Sequence, residues 1–463
     1  MNDYLKEEKI GKLMLKFSLP CVLSLLVSAL YNIVDQIFIG NSNVGAIGNT
    51  ATTIVFPLTV IALAFGLMLG DGAASCMSLL SGRGENKSIS KTIGNALLFS
   101  VLISVIFLCV SFPCLKSILT FFGARTEESL EKAYEYGFII LIGVPFYIIS
   151  NMLNSVIRAD GSPKVAMISM FAGAITNIIL DAVLILVVKM GLTGAALATI
   201  IGQALSFVIS IVYIFRPKTF KLHLNDFKID WKLTGNVFRL GLSSFLTQIA
   251  IVIITIISMN MLAEYGAKSK YGINDPQAII GVVMKVFSIV VNIAVGIAAG
   301  SQPIIGYNFG AGRYDRVKKV LFYVIISNVI LGVIATLLFE FAPGAIISIF
   351  GSNTTNKELY MEFGIYAIRI YLAGILLTLI QKVMSIFLQA IGSPIKALLL
   401  SLIRDVFAMA LFTIVLPIKF GIMGVLYAAP ISDVIGIIFT IIFVLIELKR
   451  MNKLEKNENS LLD

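Results

Sequence analysis

Long apolar runs alternate with short polar or basic breaks along the whole chain. Bounded by charge, Gly or Pro, the runs fall near 17–39, 52–80, 92–112, 134–156, 164–188, 191–215, 237–262, 276–309, 317–339, 361–391, 396–418 and 421–448. Each is close to the ~20 residues that a helix needs to cross the hydrocarbon core of a bilayer. The second and eighth exceed one span and are expected to project beyond it. The pattern therefore predicts an all-α polytopic membrane protein with twelve transmembrane helices.

The pattern also repeats. Gly66, Gly70, Gly82 and Arg83 match Gly296, Gly300, Gly312 and Arg313 at an offset of 230, and Gly191, Gly194 and Ala198 match Gly421, Gly424 and Ala428 at the same offset. Gly161-Ser162-Pro163 matches Gly392-Ser393-Pro394 at 231. Six helices return the chain to its starting side, so the halves are parallel repeats about an axis along the membrane normal. We expect two pseudo-symmetric six-helix lobes, 1–222 and 223–463, around a central cavity and joined by a basic loop near 216–236. Small residues four apart let membrane helices pack closely, so Gly66/Gly70 and Gly296/Gly300 read as packing seams. Gly82-Arg83-Gly84 and Gly310-Ala311-Gly312-Arg313 read as turns after long helices.

Composition sharpens the class. The chain is 58% hydrophobic and 13% charged, against about 25% charged in soluble domains. A net charge of +10 would suit nucleic acid, but the Lys and Arg residues gather in alternate loops. The N-terminus, 83–91, 158–164, 216–239, 313–319 and the tail hold a roughly threefold excess over the opposite set, which places both termini in the cytoplasm. No nucleic-acid partner is expected. Met1 to Lys16 is polar, so no cleavable signal peptide is evident. Cys21, Cys76, Cys109 and Cys114 form no metal or redox motif and read as small core residues. The only histidine, His223, lies in the basic loop. A zinc site or a histidine-centred triad is thus disfavoured, and no enzyme activity is expected.

Polar residues inside the runs carry the candidate chemistry. Asp35 lies within the first run, with Tyr31 one helical turn deeper; Asp181 lies within the fifth, with Asn177 one turn deeper. A carboxylate at bilayer depth costs roughly 2.5–3.5 kcal/mol on insertion scales and by default suggests an ion or substrate pathway. Both helices run in the same direction, so the two aspartates reach similar depth. Thr199 in the sixth run and Tyr136 in the fourth come to comparable levels. Two such carboxylates in low dielectric would share a proton or hold a monovalent cation, H⁺ or Na⁺, with Na⁺ coordinated by Asp35, Asn177, Asp181 and Thr199. No other cofactor is expected. The competing reading is that the aspartates only fix packing. Asp71, Lys285, Arg369, Lys382, Arg404, Asp405 and Asp433 also lie in or beside apolar runs. Arg404-Asp405 reads as a locally satisfied pair, and Lys285 and Lys382 could snorkel or line the cavity. Leu411 and Phe412 stand where the second half would repeat Asp181, so the first half is expected to carry the ion chemistry. Met284, Phe287 and Asn292 in the eighth run, and Met384, Phe387 and Gln389 in the tenth, are candidate cavity lining, though core packing explains them equally well.

The duplicated twelve-helix layout, Tyr31-Asn32-Ile33-Val34-Asp35, Asn177-Ile178-Ile179-Leu180-Asp181 and the Gly-Ser-Pro turns resemble the MATE multidrug exporters, and the Ala159–Lys164 run resembles the DinF branch. The resemblance implies export of bulky cationic amphiphiles by antiport with H⁺ or Na⁺, with coupling at Asp35, Asn177, Asp181 and Thr199 beside Tyr31 and Tyr136. Leu240 to Leu262 carries no acidic residue, unlike the seventh helix of the NorM branch. A monomer in the bacterial plasma membrane is implied, with small-molecule organic cations and the lipid bilayer as partners. A lipid-linked oligosaccharide flippase of the same superfamily is the alternative. A membrane-embedded enzyme or a channel fits the motifs less well.

Overall fold

The computed structural model describes residues 3–40, 45–124, 126–272, 274–349 and 357–459, and among them all regular structure is helical. The first six spans are α1 (Ile10–Gly40), α2 (Gly45–Gly82), α3 (Asn86–Phe121), α4 (Glu127–Ala159), α5 (Pro163–Asp181, continued by a π-helical segment Ala182–Val187) and α6 (Gly191–Ile214). The second set is α7 (Trp231–Ala267), α8 (Asn274–Gly310), α9 (Tyr314–Phe341), α10, α11 and α12 (Ile422–Asn459). Two of these are interrupted. α10 consists of Lys357–Tyr371 and Ile375–Ala390, bent by 47° between them. α11 runs as Pro394–Ser401, a π-helical segment Leu402–Ala408, and Met409–Phe420.

Among the described residues eleven helices are individually long and apolar enough to cross a membrane, and the bent α10, taken as one span, makes twelve. The sequence runs locate each span but miss its length. α2 has 38 residues, about 57 Å at 1.5 Å per residue, so its ends project past the hydrocarbon. The continuous tenth run is corrected to a broken one. Large apolar side chains such as Ile106, Val110, Val187, Phe341 and Ile418 are exposed on the outer faces, a liability in water but suited to lipid. Cys109 and Cys114 are exposed, which corrects their reading as core residues; Cys21 and Cys76 are buried.

Two lobes meet by reciprocal contacts, as a duplicated chain requires: α1 packs on α8, and α2 packs on α7. Toward the end that carries the termini, α2 also crosses α8 closely. A side chain at Gly82 would strike the Tyr307 backbone, and one at Gly310 the Leu79 backbone. Gln302 Nε2 donates to Ser75 Oγ at 2.8 Å in the same seam. These contacts seal that end. Gly296 and Gly300 take the α1 backbone at Val22 and Ser18, an interlobe seam. Gly66 and Gly70 instead take α4 at Ile148 and Met152, inside the first lobe. The repeated glycines thus serve different seams.

The link between the lobes is held by two buried polar hubs. Asp160, 0% exposed, accepts from the Tyr213 hydroxyl at 2.5 Å, the Lys218 and Thr219 amides at 2.7 and 2.9 Å, and the Thr219 hydroxyl. Asn95 donates to the carbonyls of Asp226 and Lys228 at 3.0 and 3.1 Å and accepts from the Asp230 amide at 2.8 Å. In the second lobe a buried Glu447 plays the part of Asp160, accepting from Ser393 Oγ at 2.8 Å and Lys396 Nζ at 2.5 Å.

Candidate functional site

The first cluster begins with a glycine crossing. α5 and α6 touch at Gly173 and Gly202, where a Cβ on Gly202 would lie 2.6 Å from the Gly173 carbonyl oxygen. No side chain holds the helices apart there. About one turn beyond, Asn177 Nδ2 therefore reaches Thr199 Oγ1, at 3.5 Å. α1 packs along α5 and brings the Asp35 carboxyl against that of Asp181. Tyr136, from α4, stands beside Thr199 and both carboxyls, and Tyr31 faces the same group. The structure thus brings together all six residues singled out for ion coupling.

The hydrogen bonding of this cluster is incomplete. Asp181 is 0% exposed and Asn177 3%. Asp35 Oδ1, both Asp181 carboxylate oxygens and Asn177 Oδ1 are buried, and among the described residues no donor outside the carboxyl pair itself reaches them. A buried acceptor left without a donor costs about 1–3 kcal/mol, and more when charged. Four such oxygens together make a place for something positive. The donor set is all hard oxygen, which fits a proton or Na⁺ and not a soft metal. Among the described residues no group of three or more His, Cys, Asp or Glu is placed to hold a metal ion.

A cavity of about 780 Å³ lies between the lobes and extends from the seal toward the opposite end. Tyr31, Asn177 and Thr199 form part of its wall, whereas Asp35, Asp181 and Tyr136 stand behind that wall. From the second lobe, Met284, Phe287, Asn292 and Gln389 line it. Met384 and Phe387 do not: each is 1% exposed in the apolar core. Helical geometry explains the correction. Ile375, Thr378, Lys382, Ile386 and Gln389 recur every three or four residues and form the cavity face of α10, which turns Met384 and Phe387 toward the core.

A second ionic cluster occupies the facing wall. Arg404, on the π-helical part of α11, donates from Nε and Nη2 to Asp433 Oδ1 on α12 at 2.9 and 2.6 Å. Its Nη1 donates to Asp405 Oδ1 at 2.7 Å, while Lys382 Nζ donates to Asp405 Oδ2 at 2.5 Å. The Thr378 hydroxyl completes Asp433 at 2.7 Å. All four charged side chains are at most 14% exposed. The local pair Arg404-Asp405 is therefore half of a four-charge network. Arg369 lies apart, pairing with Glu340 at 3.5 Å, and Lys285 joins the cavity wall. Asp71 bridges the lobes, accepting from Ser155 and Ser244 at 3.0 and 2.8 Å.

The repeat shows how this network was accommodated. At offsets of 230 and 231, Lys382, Arg404, Asp405 and Asp433 correspond to Asn151, Gly173, Ala174 and Gln203. In the first lobe Gly143 makes room for Gln203; at the matching Gly374 a side chain would collide with the Asp433 carboxylate. In the first lobe Gly173 faces Ser206, while in the second the exchange is reversed and Gly436 faces Arg404. Subtracting one half of the sequence from the other would have exposed this cluster; reading each charge singly does not.

Comparison with known proteins agrees with this architecture. The MatE family model matches residues 20–183 and 243–415. The multidrug export protein MepA of Staphylococcus aureus (strain NCTC 8325 / PS 47) is 28% identical over 394 residues, covering 84% of this chain and 83% of that protein. MepA of Staphylococcus haemolyticus (strain JCSC1435) is 26% identical over 395 residues, with the same coverage. A solved outward-facing MATE multidrug resistance transporter superposes with a TM-score of 0.87 at 22% identity, over 97% of this chain and 98% of that one. A superfamily member from Pyrococcus furiosus, described as having a binding pocket of reverse polarity, gives 0.86 at 20% identity over the same shares. At these identities the solved structures speak for the fold alone. Family model and relatives together establish that the chain belongs to the MatE family of membrane transporters and is MepA-like within it.

Proposed function

We propose that the chain is a secondary active multidrug exporter of the bacterial plasma membrane, acting as a monomer with both termini in the cytoplasm. It moves bulky amphiphilic organic compounds, including the cationic ones that the family resemblance implies, in exchange for H⁺ or Na⁺. The observation that carries this reading is the set of four donorless acceptor oxygens behind the cavity wall. Asp35 and Asp181 would hold the ion, with Asn177 Oδ1 and Thr199 completing its shell. Asn177 and Thr199 also belong to the wall, so filling or emptying the ion site alters the surface that a substrate meets. Rocking of the two lobes about their seams would then expose ion site and cavity to alternate sides.

The test uses purified protein in liposomes. A pH gradient alone and a sodium gradient alone are imposed in turn, and export of a fluorescent amphiphile is followed. One of the two gradients is expected to drive export, and Asp35→Asn to abolish it while the protein remains folded. Export at the wild-type rate by Asp35→Asn would remove the carboxylate pair from the mechanism.

A further inference from the structure

The charges on the cavity wall are Asp71, Asp405 and Asp433 against Arg158, Lys285, Lys382 and Arg404, a formal excess of one positive charge. The carboxylates are already engaged by the protein. Asp71 is held by Ser155 and Ser244, with Arg158 3.9 Å away. Asp405 spends one oxygen on Arg404 and the other on Lys382. Asp433 takes two donors of Arg404 and the Thr378 hydroxyl on one oxygen, and its other oxygen is packed against Gly374. Each carboxylate on this wall thus already has partners within the protein, and Asp405 and Asp433 are paired with buried cations.

The basic side is different. An ammonium has three N–H donors, and Lys382 directs one at Asp405 while lining the cavity. An anionic group placed against it adds a charge-assisted contact without breaking the network. Lys285, on α8, adds a second positive charge to the same wall, near apolar Met284 and Phe287. We propose that the second-lobe wall is a docking subsite for an anionic group of the transported compound, so that preferred substrates are amphiphiles bearing a carboxylate or similar anion, zwitterions included. This deepens the export reading and rests on it. Among the amphiphiles proposed above, the subsite would favour those that carry an anionic group beside any cationic one.

The experiment compares a rhodamine dye carrying a free carboxylate with its methyl ester, which is a plain cation, in the liposome assay and in equilibrium binding by anisotropy. The carboxylate dye should half-saturate at a concentration about tenfold lower than the ester, the size expected for one hydrogen bond to a charged group. Lys382→Gln should erase that difference by weakening the carboxylate dye, while Lys382→Arg should largely retain it. Lys285→Gln leaves the four-charge network intact and should weaken the carboxylate dye selectively, which keeps the proposal testable if Lys382→Gln fails to fold. Tighter binding of the ester, or equal weakening of both dyes by Lys285→Gln, would overturn the subsite and leave export standing. If neither dye moves or binds, the export reading falls and takes the subsite with it.

Discussion

Each lobe buries a pair of aspartates, and the two pairs are treated in opposite ways. In the second lobe Asp405 and Asp433 share Arg404, while from α10 Lys382 donates to Asp405 and the Thr378 hydroxyl to Asp433. In the first lobe Asp35 and Asp181 face each other, and among the described residues three of their oxygens have no donor from outside the pair. A carboxylate supplied with partners by its own chain ties helices together. One without them remains open to an ion that comes and goes. Placing both kinds in one molecule separates the fixed electrostatics from the variable ones, one kind in each half of a duplicated fold and at positions that the repeat does not match.

The comparison predicts contrasting responses to mutation. The largest effect on stability is expected from Arg404→Met, which leaves Asp405 and Asp433 without their shared cation. Breaking a buried ion pair from one side costs about 3–5 kcal/mol, so the thermal midpoint in detergent should fall sharply. An unchanged midpoint would erase the distinction between the lobes. Asp181→Asn should do the reverse: it removes a charge that nothing in the protein stabilises, so the midpoint should stay level or rise. Gradient-driven export should nonetheless fall at least about tenfold, or ~1.4 kcal/mol. A lower midpoint with export preserved would make Asp181 a structural residue. Gly202→Ala should have the smallest effect. Its new methyl would lie 2.6 Å from the Gly173 carbonyl oxygen, forcing α5 and α6 apart near Asn177 and Thr199. The concentration of coupling ion for half-maximal export should rise about fivefold, some 1 kcal/mol. No change would show that helix spacing at the glycines does not set the ion site.

Much of this was legible beforehand because its signals are local or periodic. Run length announces a span, a lone aspartate in an apolar run announces a buried charge, and two offsets announce duplication. The depth shared by Asp35 and Asp181 follows from counting residues along parallel helices. The tenth span could not be read the same way. Its run carries no proline to mark a break, and the break at Leu372–Gly374 lies where the Asp433 carboxylate, some sixty residues later, packs against Gly374. Met384 and Phe387 looked like cavity lining by residue type, but the phase of α10 directs Lys382 and Gln389 to the cavity and those two to the core.

The sequence by itself determined the membrane class, the number of spans, the paired halves and the depth of the charged residues, since each depends on hydrophobic length and chain counting alone. Tertiary structure decided which charges meet, which remain without donors and which side chains face the cavity. Those outcomes depend on the rotation and spacing of helices that are distant in the chain, and glycine contacts such as Gly173–Gly202 and Gly436–Arg404 set that spacing only once the helices have packed.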